Sequence, residues 1–218
     1  MVEERIVKLI MSYELNRGSS ALGRGLLMSM MRKVWLSLLL LSLFLMGCIQ
    51  VYEYKYGVKY KVKVIKVVDG DTIYVLFPDG KVEKVRLLGI DTPEKIAKAN
   101  RPNEYDNITD LEYLAIWGKR ATKFVESKLN NTYVYIEFDE LAGFRDRYGR
   151  LLAYVYVNDT DFNAELVKLG YARVYIEGEF KKKPYYLKLE EEAKKLGKGV
   201  WSILSQTQTS IIIQILMN

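Results

Sequence analysis

The chain has 218 residues, 50% of them hydrophobic, with 33 Lys and Arg against 27 Asp and Glu and a formal net charge of +6. It has no histidine and one cysteine. Imidazole catalysis and intrachain disulfides are excluded, so carboxylate, lysine, arginine, hydroxyl or metal-hydroxide chemistry remains at neutral pH.

Arg32-Lys33 precede the 13 residues Val34 to Met46, apolar but for two serines. A basic start and an apolar run of that length read as a signal-peptide h-region, too short to span a bilayer comfortably. The run ends in Leu45-Met46-Gly47-Cys48, which resembles a lipobox, so Cys48 is the expected lipidated first residue of an exported protein. The competing reading is a short anchor or core helix with an incidental cysteine. Residues 1–30 fit no ordinary signal peptide; Met28, Met30 or Met31 is a more natural start, and the upstream segment reads as a gene-start error. The expected organisation is a signal peptide at 1–47, a lipid-anchored tether at 48–60, one domain at 61–201 and a tail at 202–218. That places the protein at the cell membrane, facing outside, as a monomer. The mature part keeps 27 basic and 24 acidic residues, a charge of +3 that does not by itself argue for nucleic acid.

Lys61-Val62-Lys63-Val64 alternates and Ile65 to Val68 completes a strand; Asp69-Gly70 turns the chain and Thr72 to Phe77 returns. Pro78-Asp79-Gly80 is a turn, because Pro presets φ and Gly accepts a positive one. Val82 to Leu88 is the third strand of a meander. Residues 95–112 are polar and read as a long loop. Tyr113 to Leu129 carries Leu114, Trp117, Ala121, Phe124 and Val125 at helical spacing. Tyr133 to Phe138 and Leu151 to Val157 are further strands, separated by the charged turn Gly143 to Arg150. A helix near Phe162 to Leu169, a strand-like Ala172 to Ile176 and a helix over Tyr185 to Leu196 complete the domain. The fold class is α+β, mainly β: a five-stranded OB-type barrel with helices outside.

Two stretches concentrate chemistry: Asp69-Gly70-Asp71-Thr72, and Val85-Arg86-Leu87-Leu88-Gly89-Ile90-Asp91-Thr92-Pro93-Glu94. They set four carboxylates and an arginine at strand ends and turns. Acids able to share a hard cation, beside an arginine able to hold phosphate, suggest phosphodiester cleavage. Singly, each has a plain structural reading. Asp-Gly makes a hairpin turn, Asp-Thr-Pro-Glu a helix or turn start, and Arg145 to Arg150 a solvated turn with a salt bridge.

Taken in order, these motifs, Asp146-Arg147-Tyr148-Gly149-Arg150, the run Asn163 to Val174, Glu192-Ala193-Lys194-Lys195 and Gly197-Lys198-Gly199-Val200-Trp201 resemble the staphylococcal nuclease (thermonuclease) family. The resemblance covers about residues 60–201. It implies an OB-fold barrel with three helices. It also implies a calcium-dependent nuclease that cleaves DNA, and RNA as a second substrate, at the 5′ P–O bond to leave 3′-phosphate ends.

Carried over by position, the resemblance puts Ca²⁺ on the carboxylates of Asp71 and Asp91 and the carbonyl of Thr92, with Asp69 farther out. Arg86 and Arg150 match the arginines that hold the scissile phosphate, and Glu94 the general base. Arg147 and Tyr148 match a basic residue and a tyrosine on the neighbouring phosphate, and Tyr175 is the candidate substrate-contacting tyrosine of the last strand. The stretch from Glu94 to Gly118 is longer than the family pattern and is placed to cover or narrow the cleft. The alternative is a non-catalytic nucleic-acid- or protein-binding module of the same fold, but such copies usually lose the metal carboxylates or the arginines, and all are present here.

Overall fold

The computed structural model describes residues 28–38 and 53–203, besides Lys8 and Gly25. Cys48, the second half of the apolar run, the start of the tether and the tail beyond 203 lie outside the described residues. The chain divides into two compact units, residues 1–52 and 53–218. In the first, residues 28–38 are helical. No helix among the described residues is long and apolar enough to cross a membrane.

The second unit is built on strand β1 (Lys59–Asp69), whose eleven residues serve two neighbours. Its first half pairs with β5 (Tyr133–Glu137) and its second half with β2 (Thr72–Leu76), both antiparallel. Register shifts at Val64/Lys66 and Val67/Asp69 mark bulges, which bend a strand and increase its twist, as closure requires. β2 pairs with β3 (Val82–Leu87), and β5 with β6 (Leu151–Val157). Parallel pairing of β3 with β6, from Val85↔Leu151 to Leu87↔Ala153, closes the barrel. Five strands with no free edge between them form an OB-type barrel. Inward residues alternate with outward ones, so Val62, Val64, Ile73, Val75, Val85, Leu87 and Ile136 fill the interior.

Among the described residues this unit has three α-helices: α1 (Leu111–Leu129), α2 (Phe162–Lys168) and α3 (Lys183–Lys195). α1 starts two residues earlier than its apolar spacing predicts, because Asp110 caps it by accepting from the Tyr113 N–H at 3.0 Å. A short hairpin carries β6 into β7 (Thr160–Asp161) through Asn158 and Asp159, both at positive φ. Asp161 then caps α2 through the Ala164 N–H.

The strand expected over 172–176 shortens to β8 (Arg173–Val174), which pairs with β4 (Ile90–Asp91) in a separate two-stranded sheet. The long loop is ordered by its own contacts. It holds a 3₁₀ turn at Ala97–Ala99, and it buries Tyr105 and Ile108 with Leu114, Ala193, Val200 and Trp201 in a satellite core.

Candidate active site

The tight turn between β1 and β2 sets Asp69 and Asp71 at the barrel mouth. Gly70 is required there, since a Cβ would stand 2.7 Å from the Thr92 hydroxyl and 2.9 Å from the Ala121 methyl. Asp71 is 2% exposed. It accepts from the Thr72 hydroxyl at 3.0 Å, and from the Thr92 N–H and hydroxyl at 2.8 and 3.1 Å. Arg86, outward-facing near the end of β3, donates to both Asp71 and Asp91. One guanidinium thus bridges two carboxylates that the chain keeps twenty residues apart.

Asp91 is also held from the opposite side. Its register partner Arg173 donates from Nε at 3.1 Å, with Nη2 2.9 Å from the same carboxylate oxygen. The buried Tyr105 hydroxyl donates to the Asp91 carbonyl at 2.9 Å. Between β3 and β4, Asn163 fixes the bend: it is fully buried, donates to the carbonyls of Leu88 and Ala153, and accepts from the Val155 N–H. Gly89 turns there at φ +80° against the Phe180 ring.

Beyond Asp91, the Asn100 side chain accepts from the Glu94 N–H at 2.8 Å and donates to the Glu94 carbonyl at 2.9 Å, leaving the Glu94 carboxyl exposed.

Negative charge is in excess at this mouth. Burial, then Asp71, pushes the Asp69 carboxyl up to about 6. Burial and Asp71 also raise Asp91, and burial with both aspartates raises Glu94. For Asp71 burial pulls upward too, but Arg86 and the Thr92 N–H outweigh it and hold the carboxyl below its ordinary value.

The turn after β5 supplies the other cations. Asp146 accepts from the Arg150 N–H at 3.0 Å and its Nε at 2.7 Å, while Gly149 takes φ +78°. Arg147 donates to the Tyr148 hydroxyl at 2.7 Å, and Tyr148 stands 68% exposed at the rim.

A cleft of about 440 Å³ is lined by Arg86, Arg147, Tyr148, Arg150 and Tyr175 among others. A second hollow of about 280 Å³ is lined by Asp91, Thr92, Glu94 and Tyr175, with Arg101, Glu104, Arg173 and Glu177. Tyr175 borders both. The residues expected from sequence therefore converge, with Asp71 behind Arg86; Cys48 lies outside the described residues.

Among the described residues, no group of three or more His, Cys, Asp or Glu side chains is placed to hold a metal ion. Two carboxylates, those of Asp71 and Asp91, share one cationic fork, and both are hard oxygen donors. That chemistry fits a divalent ion of oxygen preference completed by water. Sequence reasoning assigned no role to Arg173, Tyr105, Asn100 or Gly118. Only Arg173 left a signal, as a lone cation in an otherwise β-like run.

The staphylococcal nuclease homologue family model matches residues 84–203. Over 163 residues the chain is 47% identical to an uncharacterized protein of Methanocaldococcus jannaschii, covering 71% of this chain and 75% of that one. It is 38% identical over 141 residues to the thermonuclease of Staphylococcus hyicus, covering 64% and 75%. It is 36% identical over 139 residues to the endonuclease YncB of Bacillus subtilis, covering 63% and 59%.

Proposed function

The chain belongs to the staphylococcal nuclease family and is a nuclease, and from that premise we propose a calcium-dependent enzyme that hydrolyses DNA, and RNA as a second substrate, to 3′-phosphate ends. The observation that carries this reading is the Arg86 fork shared by Asp71 and Asp91 at a cleft that also holds Arg150.

In this reading Asp71, Asp91 and the Thr92 carbonyl hold the cation. When bound, it supplies Lewis-acid stabilisation and positions water. Arg86 and Arg150 face the scissile phosphate, whose equatorial oxygens gain charge in the transition state. Planar guanidinium forks pair with such oxygens and stay protonated throughout. A donor already oriented needs no reorganisation as that charge develops, which makes its loss expensive, about 3–4 kcal/mol. Glu94, raised by burial and then by its acidic neighbours, takes the proton of the attacking water as that oxygen bonds phosphorus and the bond to the 5′ oxygen breaks, the leaving oxygen taking a proton from solvent. Arg147 and Tyr148 hold the next phosphate at the rim, and Tyr175 contacts substrate between the two hollows.

The sequence supports export and tethering through Cys48, with the domain outside the cell. Mass spectrometry of the native protein tests this: a lipid-bearing Cys48 at the N-terminus is the expected result, and an intact leader ends the idea.

For the activity, the full chain is incubated with single- and double-stranded DNA in Ca²⁺, in Mg²⁺ and in chelator. Cleavage in Ca²⁺ that stops with chelator and leaves 3′-phosphate ends is expected. Binding without cleavage under every condition would instead favour the non-catalytic module.

A further inference from the structure

The outer face of the barrel carries cations set among tyrosines, leading to the cleft. Along β1, Val62 and Val64 point inward and Lys61 and Lys63 outward; past the bulge, Lys66 takes the outward place opposite Tyr74. Register aligns Lys84, Tyr74 and Lys66 across β3, β2 and β1. The next row is Leu76, Lys63 and Tyr133 across β2, β1 and β5, and the next Lys61 and Tyr135. Arg86 stands two residues beyond Lys84 on the same strand and the same face.

Tyr133 is 62% exposed and Tyr135 40%. The Lys61 ammonium lies 5.3 Å from the Tyr133 ring and that of Lys84 5.9 Å from the Tyr74 ring. None of Lys61, Lys63, Lys66 and Lys84 forms an ion pair among the described residues. Among the described residues of these strands, outward carboxylates stand only at the ends of the face: Glu137, engaged by the Tyr156 hydroxyl at 2.8 Å, and Asp69 at the cleft.

We propose that this face is a track for single-stranded nucleic acid that leads a strand to Arg86, a role that rests on the nuclease reading above. Strand and row spacings give it a length of roughly 20 Å, room for a few nucleotides. Lysines neutralise phosphates without reading sequence, and exposed tyrosine rings stack on any base. Continuity with Arg86 favours an occupant that is cut in the cleft over a lipid surface. A bilayer would gain from the charge and from the rings, but not from their alignment on a path to a phosphate site.

The full chain in chelator, where nothing is cut, is titrated with labelled oligothymidylates of about 4 and about 15 nucleotides at several salt concentrations. Wild type is expected to bind the long oligonucleotide about tenfold or more tighter than the short one. The variant K61Q/K63Q/K66Q/K84Q should erase most of that gain and flatten the slope of log affinity against log salt by about 2–3, near 0.7 per lost phosphate contact. Tyr133→Ala should weaken the long oligonucleotide about fivefold. Both variants should split a nitrophenyl ester of a single nucleotide at the wild-type rate in Ca²⁺. Unchanged urea midpoints would exclude misfolding as the cause.

Wild-type affinity and salt slope in the quadruple variant overturn the track. Loss of binding to phosphatidylglycerol vesicles with oligonucleotide binding intact overturns it in favour of a membrane face. Failure of the wild type to split either the ester or DNA overturns the nuclease reading instead, while the titration in chelator still decides the track.

Discussion

Gly118, near the middle of α1, lies directly against the backbone of Glu94: a methyl group on it would stand 2.6 Å from the Glu94 carbonyl oxygen and 2.4 Å from that of Pro93. Helices favour alanine over glycine by about 1 kcal/mol, so propensity alone makes glycine a poor choice here. Its absent side chain lets the helix approach the segment that presents Thr92 and Glu94. Gly118→Ala is expected to cost about 1–3 kcal/mol in urea unfolding despite better propensity, since both atoms in the way are backbone. Turnover should fall by about 10²-fold, the usual effect of displacing a reacting group by about 1 Å. A stabilised variant with normal turnover would refute this account of the contact.

Arg86 and Arg150 should separate when each is changed to Ala, though both face the cleft. Arg86 neutralises Asp71, which is nearly inaccessible, and Asp91 with it. Removing it strands buried charge, so Arg86→Ala should destabilise the ion-free protein by about 3–5 kcal/mol, with Ca²⁺ restoring part of the loss. Arg150 pairs with Asp146, itself held by turn N–H groups and partly open to solvent, so its loss should cost less, about 1 kcal/mol. Each should slow cleavage by about 10²-fold or more. Thermal unfolding with and without Ca²⁺, beside kcat, checks the contrast.

The barrel was legible because its strands alternate cleanly and its turns carry Asp-Gly and Pro-Asp-Gly. The third-strand arginine and the carboxylates were legible as ordered motifs. Arg173 was hidden because its role is a contact with Asp91, 82 residues away, and no local pattern encodes that. The stretch 95–112 read only as a long loop because its order comes from scattered side chains, Asn100 beneath Glu94 and Tyr105 and Ile108 in the satellite core with Trp201. The last strand was overestimated: Ala172 to Ile176 has β composition, but only Arg173 and Val174 pair as a strand, with the Tyr175 N–H donating to the Gly89 carbonyl at 3.0 Å.

Asp71→Ala and Asp91→Ala should each weaken Ca²⁺ binding by calorimetry, because few protein ligands are available to share the loss. The two should differ in stability. Asp71 also satisfies the Thr92 N–H and two hydroxyls, so its removal leaves buried donors open, whereas Asp91 is the more accessible of the pair. Ca²⁺ should raise the wild-type Tm and leave that of either variant almost unmoved. An equal rise in all three proteins would move the ion elsewhere.

Glu94→Gln preserves the backbone contacts that Asn100 makes and removes only the charge. Stability and oligonucleotide affinity in chelator should stay near wild type while kcat drops by about 10²-fold or more. Turnover within a few-fold of wild type would take the base role away from Glu94.

Glu83, three residues before Arg86, offers a test of stability remote from the carboxylate cluster. Arg145 holds its carboxylate through two bonds of 2.9 and 2.7 Å, and Lys81 lies 2.8 Å away. These cations, Arg145 first, pull the Glu83 carboxyl down to about 2 against the opposing pull of burial. In the unfolded chain it returns to its ordinary value of 4.5. The folded form is thus the weaker proton binder. Its contribution, on the order of 2 kcal/mol, is complete above the unfolded value and drains away as pH falls toward the folded one. Glu83→Gln should therefore lower stability at neutral pH and show a shallower loss between about pH 4.5 and 2 than wild type does. The other depressed carboxylates, Asp71, Asp146, Glu177 and Glu191, titrate in both proteins and cancel in the difference. Urea midpoints measured across that range give the comparison; parallel curves would mean that the Arg145 pair carries no net stabilisation.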